Sequence, residues 1–345
     1  IALRRGGQKA DGQQFSLECE DGSLVEGVLP DYETPAVKNA AGYFARNDMD
    51  LIDLFIGMEG TLGVVSEIEV LLAPAPPVMW GVMAFLPDEA GALSLVRALR
   101  GERTGEAQSP IEPRPVAIEF FNHDALALLR SQKNSNAAFG EIPSMPPEYH
   151  TAVYAEFHGN DEDAIAEAVM AASESLVALG GDEDASWVAD TEREMERLKF
   201  FRHAVPESVN LLIDGRRKEQ PELMKLGTDM SVPDARLEDT LTMYNEDLAS
   251  AELESVIFGH IGDNHLHVNI LPRTPEDYQR GKELYLAWAQ RIVAAGGSVS
   301  AEHGIGKNKT EFLVVMYGQE GVEQMRQVRE ALDPAGLLSP GNLFV

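Results

Sequence analysis

Two short stretches of this chain gather the side chains best suited to do chemistry together. The first, GHIGDNHLHVNI from Gly259 to Ile270, holds three histidines, one aspartate and two asparagines between the apolar runs SVIF and ILP. The second, SAEHGIG from Ser300 to Gly306, lies one long helix downstream. Together they contain four of the chain's eight histidines. Imidazoles and carboxylates set among glycines suit metal coordination and proton transfer better than packing.

What they can do depends on which side chains share a face. Take ESVIFGHIGDNHLHVNIL as two strands around a turn of Ile261 to Asn264. His260 then pairs with His265, and His260, His265, His267 and Asn269 all face one way, because opposed residues and residues two apart share a sheet face. A three-residue loop would instead turn His260 away from His267. The shared face is the expectation, since it makes a ligand cluster; Gly262-Asp263-Asn264 is good turn chemistry in either register. Two imidazoles hold a divalent metal only when a third group completes an open site. Glu302 is the candidate for that group, and in an extended segment its neighbour His303 points the other way and serves another role. Any one of these histidines alone reads more readily as a surface or capping residue. H-x6-H-x-N together with E-H reverses that balance.

The elements that must position these groups alternate along the chain. Residues 1–72 read as β-rich with one short helical connection: GSLVEGVLP and GVVSEIEVLL have strand-type patterns, and DMDLIDLFIG leads into Gly57-Met58-Glu59-Gly60-Thr61-Leu62-Gly63. Glycines there let the backbone approach a ligand closely and expose its N–H groups. Ala73-Pro74-Ala75-Pro76-Pro77 is a stiff extended linker. Beyond it VMWGVMAFL, PVAIEFF and TAVYAEFHG read as strands. PDEAGALSLVRALR, HDALALLRS and DEDAIAEAVMAASESLVALG read as helices, with a loop over 134–149. This spacing predicts an α+β or α/β sheet covered on one face. Further along come a helix over about 190–203, a basic loop from Asp214 to Lys218 and a helix starting near Pro233. A long helix over about 275–295 and two short helices after SAEHGIG complete the pattern.

Composition narrows the function classes. With 345 residues, 44% of them apolar, the chain can build two domains and a large core, and no apolar run approaches the length of a membrane span. Cys19, the single cysteine, excludes an internal disulfide and a cysteine-ligated iron–sulfur site within the chain. The 57 acidic residues against 28 basic ones, a net charge of −29, argue against nucleic acid as a partner. Solubility explains that excess most simply; a saline habitat and a basic electron-carrier partner are the other readings. No signal peptide is visible, so the expected location is cytoplasmic or peripheral to the inner membrane. The start at Ile1, in what reads as the middle of a strand, leads us to expect an N-terminal truncation or a cleaved chain.

GHIGDNHLHVN with SAEHGIG resembles the C-terminal domain of FAD-linked oxidases of the vanillyl-alcohol oxidase type. The branch is that of the D-2-hydroxy-acid dehydrogenases: D-lactate dehydrogenase, the glycolate oxidase flavin subunit and D-2-hydroxyglutarate dehydrogenase. VKNAAGYFARNDMDLIDLFIGMEGTLGVVSEIEVLLAP resembles the end of that family's FAD-binding domain, and LDPAGLLSPGNLF its closing segment. The resemblance implies an α+β fold. Residues 1–74 would be the C-terminal portion of a PCMH-type FAD-binding domain. Residues 75–330 would be a ferredoxin-like antiparallel-sheet cap domain with helices, and 331–345 a segment returning to the FAD site. It implies His260, His267 and Glu302 as ligands of a divalent metal (Zn, or Mn/Fe), His303 as general base, Asn269 as a polar contact to substrate or flavin, and Arg202 as the anchor of a substrate carboxylate. It also implies FAD contacts from Glu59, Gly60, Thr61, Leu62 and Gly63 through the backbone, from Lys38 and Asn39, and from Asn342 where relatives carry a closing lysine.

Three further positions depart from the family pattern. Where many relatives read GDGNLH this chain reads GDNHLH, so His265 is either a fourth ligand or, the favoured reading, a solvent-facing substitute for the usual asparagine. Gly227 stands where the 2-hydroxyglutarate enzymes place a substrate lysine, with Lys225 two residues earlier, and Pro206 stands where a threonine is expected. A lactate- or glycolate-like monocarboxylate therefore fits better than a diacid. The implied activity is oxidation of that D-2-hydroxy acid to the 2-oxo acid, with hydride passing to FAD and electrons onward to a quinone, an electron-transferring flavoprotein or a cytochrome. A homodimer is compatible with this. The family's pyrophosphate-binding loop is expected N-terminal to Ile1, so this chain alone is expected to hold FAD weakly or not at all. Two alternatives stand beside this reading: a metal-dependent hydrolase or lyase without flavin, and a non-catalytic subunit that pairs with a separate flavin chain.

Overall fold

A computed structural model describes residues 1–102, 111–145 and 147–344; Pro146, part of the loop read over 134–149, lies outside them. In chain order the elements are β1 (Gln14–Glu18), β2 (Leu24–Val28), a 3-10 turn (Leu51–Phe55), β3 (Val78–Leu86), α1 (Glu89–Leu99), β4 (Ala117–Phe121), α2 (His123–Ser135), β5 (Thr151–Gly159), α3 (Glu162–Ala178), β6 (Trp187–Ala189), α4 (Glu192–Arg217), β7 (Leu226–Gly227), β8 (Met230–Ser231), α5 (Leu237–Ser250), β9 (Ser255–Gly259), β10 (His265–Ile270), α6 (Pro275–Ala294) and α7 (Thr310–Leu332).

The chain forms two compact units. The first joins Ile1–Leu71, Asp229–Arg236 and Leu286–Val345; the second joins Leu72–Thr228 and Leu237–Tyr285. The break between Leu71 and Leu72 lies close to the boundary read at residue 74, while residues 229–236 and 286–330, read as part of the second domain, group with the first unit, where C-terminal residues pack directly on N-terminal ones. The Ala40 N–H donates to the Ser300 carbonyl at 2.8 Å, and the Tyr317 hydroxyl donates to the Ala41 carbonyl at 3.1 Å.

The second unit is built on an antiparallel sheet with strand order β6-β3-β5-β4-β9-β10-β7. On one face Met83, Phe85, Phe121 and Tyr154 pack with Leu126 and Leu129 of α2 and with Leu198, Phe201 and Val205 of α4. On the other, Val82, Ala84 and Val153 meet Leu95 and Leu99 of α1 and Val169 and Leu176 of α3. The sheet is therefore covered on both faces, not one. The near-continuous burial along β5 is the pattern of a strand with two covered faces.

Two further expectations need correction. The basic stretch from Asp214 to Arg217 is the last turn of α4 and not a loop. Val205, Val209 and Ile213 carry the buried stripe past Pro206, and Arg216 and Arg217 suit the negative end of the helix. Pro206 lacks the N–H that a helix would aim at the Arg202 carbonyl, yet the helix runs on through it. GVVSEIEVLL, in turn, forms no strand: residues 63–77 lack regular structure, and Val64, Ile68 and Leu71 are 84%, 73% and 101% exposed. Alternation says which side chains would face a core, but a strand also needs a neighbour to pair with, and among the described residues none pairs with it. Elsewhere in the first unit β1 and β2 pair antiparallel, and α7 bends at Gly318 (φ +68°) into the two helices expected after SAEHGIG.

Candidate functional site

In the second unit the polar side chains stand in a row across one sheet face. The ladder sets His267 opposite Phe258 and Asn269 opposite Val256. Continued to the turn, it brings His265 opposite His260, with the His265 N–H donating to the His260 carbonyl at 3.2 Å. The turn runs through a 3-10 segment, Ile261–Asp263, to Asn264 in the left-handed region at φ +54°, a conformation asparagine tolerates. Arg100 pins it by donating to the Ile261 carbonyl and, at 2.6 Å, to Asn264 Oδ1. The shared-face register is thus the one formed. Ring centroids lie 5.4 Å apart for His260 and His265, 5.5 Å for His260 and His267, and 4.4 Å for His265 and His267. The solvent-facing reading of His265 is overturned, since that residue is 0% exposed.

The hydrogen bonds fix which ring nitrogens carry protons. His267 Nδ1 lies 3.0 Å from the Thr228 carbonyl, and His260 Nδ1 lies 2.9 Å from Glu119 Oε1. A carbonyl and a carboxylate only accept, so both imidazoles carry hydrogen on Nδ1, and in the neutral form the lone pair is on Nε2. That is the tautomer a metal-binding histidine needs, and the donor chemistry fits a divalent cation. Glu119, 3% exposed in β4, also accepts from the Arg202 guanidinium on the same oxygen. The row continues through Tyr154, opposite Glu119 on β5, whose hydroxyl donates to Glu156 Oε2 at 2.6 Å. His158 Nε2 lies 2.7 Å from the other Glu156 oxygen. Burial pushes the Tyr154 hydroxyl well above its ordinary range, and the neighbouring Glu156 carboxylate adds to this.

Asn269 is 4% exposed and pairs with Gly227. A Cβ at position 227 would lie 3.0 Å from Asn269 Oδ1, so a lysine there would crowd the asparagine. Lys225 turns instead to α4, donating to Asn210 Oδ1 at 2.9 Å.

In the first unit the SAEHGIG segment is held by two carboxylates. Asp229, 2% exposed, accepts from the Ser300 hydroxyl at 2.5 Å, the His303 N–H at 2.8 Å and the Glu302 N–H at 3.2 Å. Glu59 accepts from the N–H groups of Ile305 at 2.7 Å and Gly306 at 2.6 Å. Glu302 and His303 themselves are exposed, and Glu302 pairs with Lys38.

The residues expected around FAD are mostly committed to the fold through their side chains. Asn39 Oδ1 accepts from the Ser298 hydroxyl at 2.5 Å; Thr61 is buried, with its hydroxyl 2.5 Å from that of Tyr43; Leu62 is buried; Asn342 Nδ2 donates to the Glu59 carbonyl at 3.2 Å. Gly57 (φ +79°), Glu59 (φ +54°) and Gly60 (φ +71°) take left-handed conformations. A Cβ on Gly57 or Gly63 would meet nothing within 4 Å. This open, glycine-lined backbone fits a ligand that approaches main-chain groups, and the committed side chains keep it rigid. Sequence reasoning missed Glu119, Tyr154, Glu156 and Asp229. Glu119 left a signal, a carboxylate inside the apolar run PVAIEFF, because an acidic residue is rarely buried without a partner.

Comparison with known proteins places this architecture. The chain belongs to the family of FAD linked oxidases, C-terminal domain, which matches residues 82–343. It is 31% identical over its full length to a D-2-hydroxyglutarate dehydrogenase of Xanthomonas citri pv. viticola, covering 67% of that protein. It is 28% identical over 99% of its length to the "Probable D-lactate dehydrogenase, mitochondrial" of Danio rerio, and 25% identical over 89% to the glycolate oxidase subunit GlcD of Bacillus subtilis. It spans 62% and 58% of those two proteins. Solved structures of 4-ethylphenol oxidase from Gulosibacter chungangensis (TM-score 0.56, 15% identity, 98% of this chain and 66% of that one) and of p-cresol methylhydroxylase (0.56, 14%, 99% and 68%) share the fold. No described helix is long and apolar enough to cross a membrane.

Proposed function

We propose that this chain carries the substrate side of an FAD-dependent D-2-hydroxy-acid dehydrogenase that oxidises a lactate- or glycolate-like acid to its 2-oxo acid. The supporting observation is the sheet face on which His260 and His267, in the same tautomer, share a row with the Arg202–Glu119 pair. Arg202 binds the substrate carboxylate through its planar fork of donors. His303 accepts the hydroxyl proton, and Asn269 contributes a polar contact. His260, His267 and Glu302 hold a divalent metal (Zn, or Mn/Fe), which when bound supplies Lewis-acid polarisation of the hydroxyl. FAD, when bound, supplies the hydride acceptor. The chain meets it through the backbone of Glu59, Gly60, Thr61, Leu62 and Gly63, with Lys38, Asn39 and Asn342 shaping that surface. A quinone, an electron-transferring flavoprotein or a cytochrome then takes the electrons.

The absence of a lysine at Gly227, where an added Cβ would lie 3.0 Å from Asn269 Oδ1, and the turn of Lys225 to Asn210 favour one substrate carboxylate over two. The test is a flavin absorbance spectrum and metal analysis of the intact gene product, then anaerobic reduction with a panel of D- and L-2-hydroxy acids. Bleaching by D-lactate or glycolate and not by L-lactate is expected. A product that retains metal but neither holds flavin nor bleaches with any hydroxy acid overturns the reading.

A further inference from the structure

His260 and His267 each present Nδ1 to an acceptor, but by different means. For His267 the acceptor is the Thr228 main-chain carbonyl, which no side-chain substitution removes. For His260 it is Oε1 of Glu119, the atom that also receives the Arg202 guanidinium. Glu119 sits in a strand interior at 3% exposure, where a carboxylate is costly unless paired and hydrogen-bonded. Its neighbours in β4, Ile118 and Phe120, are buried and apolar, so the strand itself gives no reason for an acid.

We infer that Glu119 is a positioning residue that fixes the His260 ring with its Nε2 lone pair directed outward and holds Arg202 beside it, so that metal affinity and anion recognition are set through one oxygen. This rests on the metal site proposed above. Carboxylates that orient metal-binding histidines typically contribute 10- to 100-fold to metal affinity.

The test uses the 345-residue chain as wild type, Glu119→Gln and Glu119→Leu. Circular dichroism checks the fold. Long-range proton–nitrogen correlation spectra of the metal-free protein report the His260 tautomer, with His267 as internal control, and calorimetric titration with Zn(II) reports affinity. The leucine variant is expected to lose the Nδ1–H form at His260 while His267 keeps it, and to bind Zn(II) about 10- to 100-fold more weakly. The glutamine variant retains an acceptor oxygen and should fall between. Should the leucine variant not fold, the glutamine variant carries the test, with a mixed His260 tautomer expected. An unchanged His260 tautomer in a folded leucine variant, or in the glutamine variant where leucine does not fold, overturns the proposal, as does unchanged Zn(II) affinity there. Failure of the wild type to bind Zn(II) overturns the metal reading instead; the tautomer result then still decides whether Glu119 holds His260.

Discussion

Asp229 offers the sharpest test of how the SAEHGIG segment is held. Its carboxylate, 2% exposed, spreads its bonds over both oxygens: Oδ1 takes the Glu302 N–H at 3.2 Å, and Oδ2 takes the His303 N–H at 2.8 Å and the Ser300 hydroxyl at 2.5 Å. Lys309 Nζ stands 3.6 Å from Oδ2, and burial lowers the pKa of that lysine while the Asp229 charge works against the change. Asp229→Asn preserves volume but supplies a single acceptor oxygen. The amide NH2 then faces N–H donors on one side, leaving at least one buried donor unmet at about 1–3 kcal/mol. Asp229→Ala removes every side-chain acceptor and the carboxylate nearest to Lys309, leaving that lysine only the Glu59 charge, a loss of about 3–5 kcal/mol by analogy with broken buried pairs. Amide hydrogen exchange at Glu302 and His303 reads the local part directly. In the asparagine variant those amides should exchange roughly 5- to 150-fold faster, since about 1.4 kcal/mol is tenfold. The global stability loss is read from denaturant midpoints at constant slope. Unaltered exchange at both amides in a folded Asp229→Asn protein, with stability within about 0.5 kcal/mol of wild type, would refute the idea that this carboxylate organises the segment.

Other outcomes follow from the same coordinates. Burial pushes the hydroxyls of Tyr43 and Tyr317 up to about 12 from an ordinary 10.0, while bonds to Thr61 and Asn39 work the other way. A raised pKa means their stabilisation is complete below pH 10 and lost as pH rises toward 12, worth about 2–3 kcal/mol for each at 1.36 kcal/mol per unit. Tyr43→Phe should flatten that part of the pH–stability curve, and an unchanged curve contradicts the assignment. Gly304 has φ +69°, and an added Cβ would meet Glu59 Oε1 at 2.5 Å. Gly304→Ala should therefore destabilise by about 1–3 kcal/mol, because Glu59 is tied to Ile305 and Gly306 and cannot swing away cheaply; a neutral melting temperature argues against this. In the flavin-loaded enzyme, His303→Ala should lower turnover by about two to four orders of magnitude with metal content retained. Turnover at the wild-type level removes His303 from the mechanism.

The histidine strand pair was legible because the signals that mark it are local, although Arg100 pins its turn from far along the chain. Apolar runs flank a turn-forming Gly262-Asp263-Asn264, and a period of two decides which side chains share a face. The helices of the second unit were legible for a similar reason, since Asp88, Asn122 and Asp161 mark their starts with side-chain caps. GVVSEIEVLL shows the limit of such reading: its alternation is real, yet pairing is a property of two segments, and the pattern of one cannot supply the other.

The residue types of the site, the existence of the β9–β10 pair and the glycine turn at Gly57–Gly63 were set by the sequence, which left two registers open for that pair. Tertiary structure alone decided that His265 is buried, that α4 continues past Pro206, and that Glu119 joins Arg202 to His260 across 141 positions of sequence between acid and histidine. The physical reason is that burial and the pairing of charges depend on which strands become neighbours, and β4 lies beside β9 only once the sheet has formed.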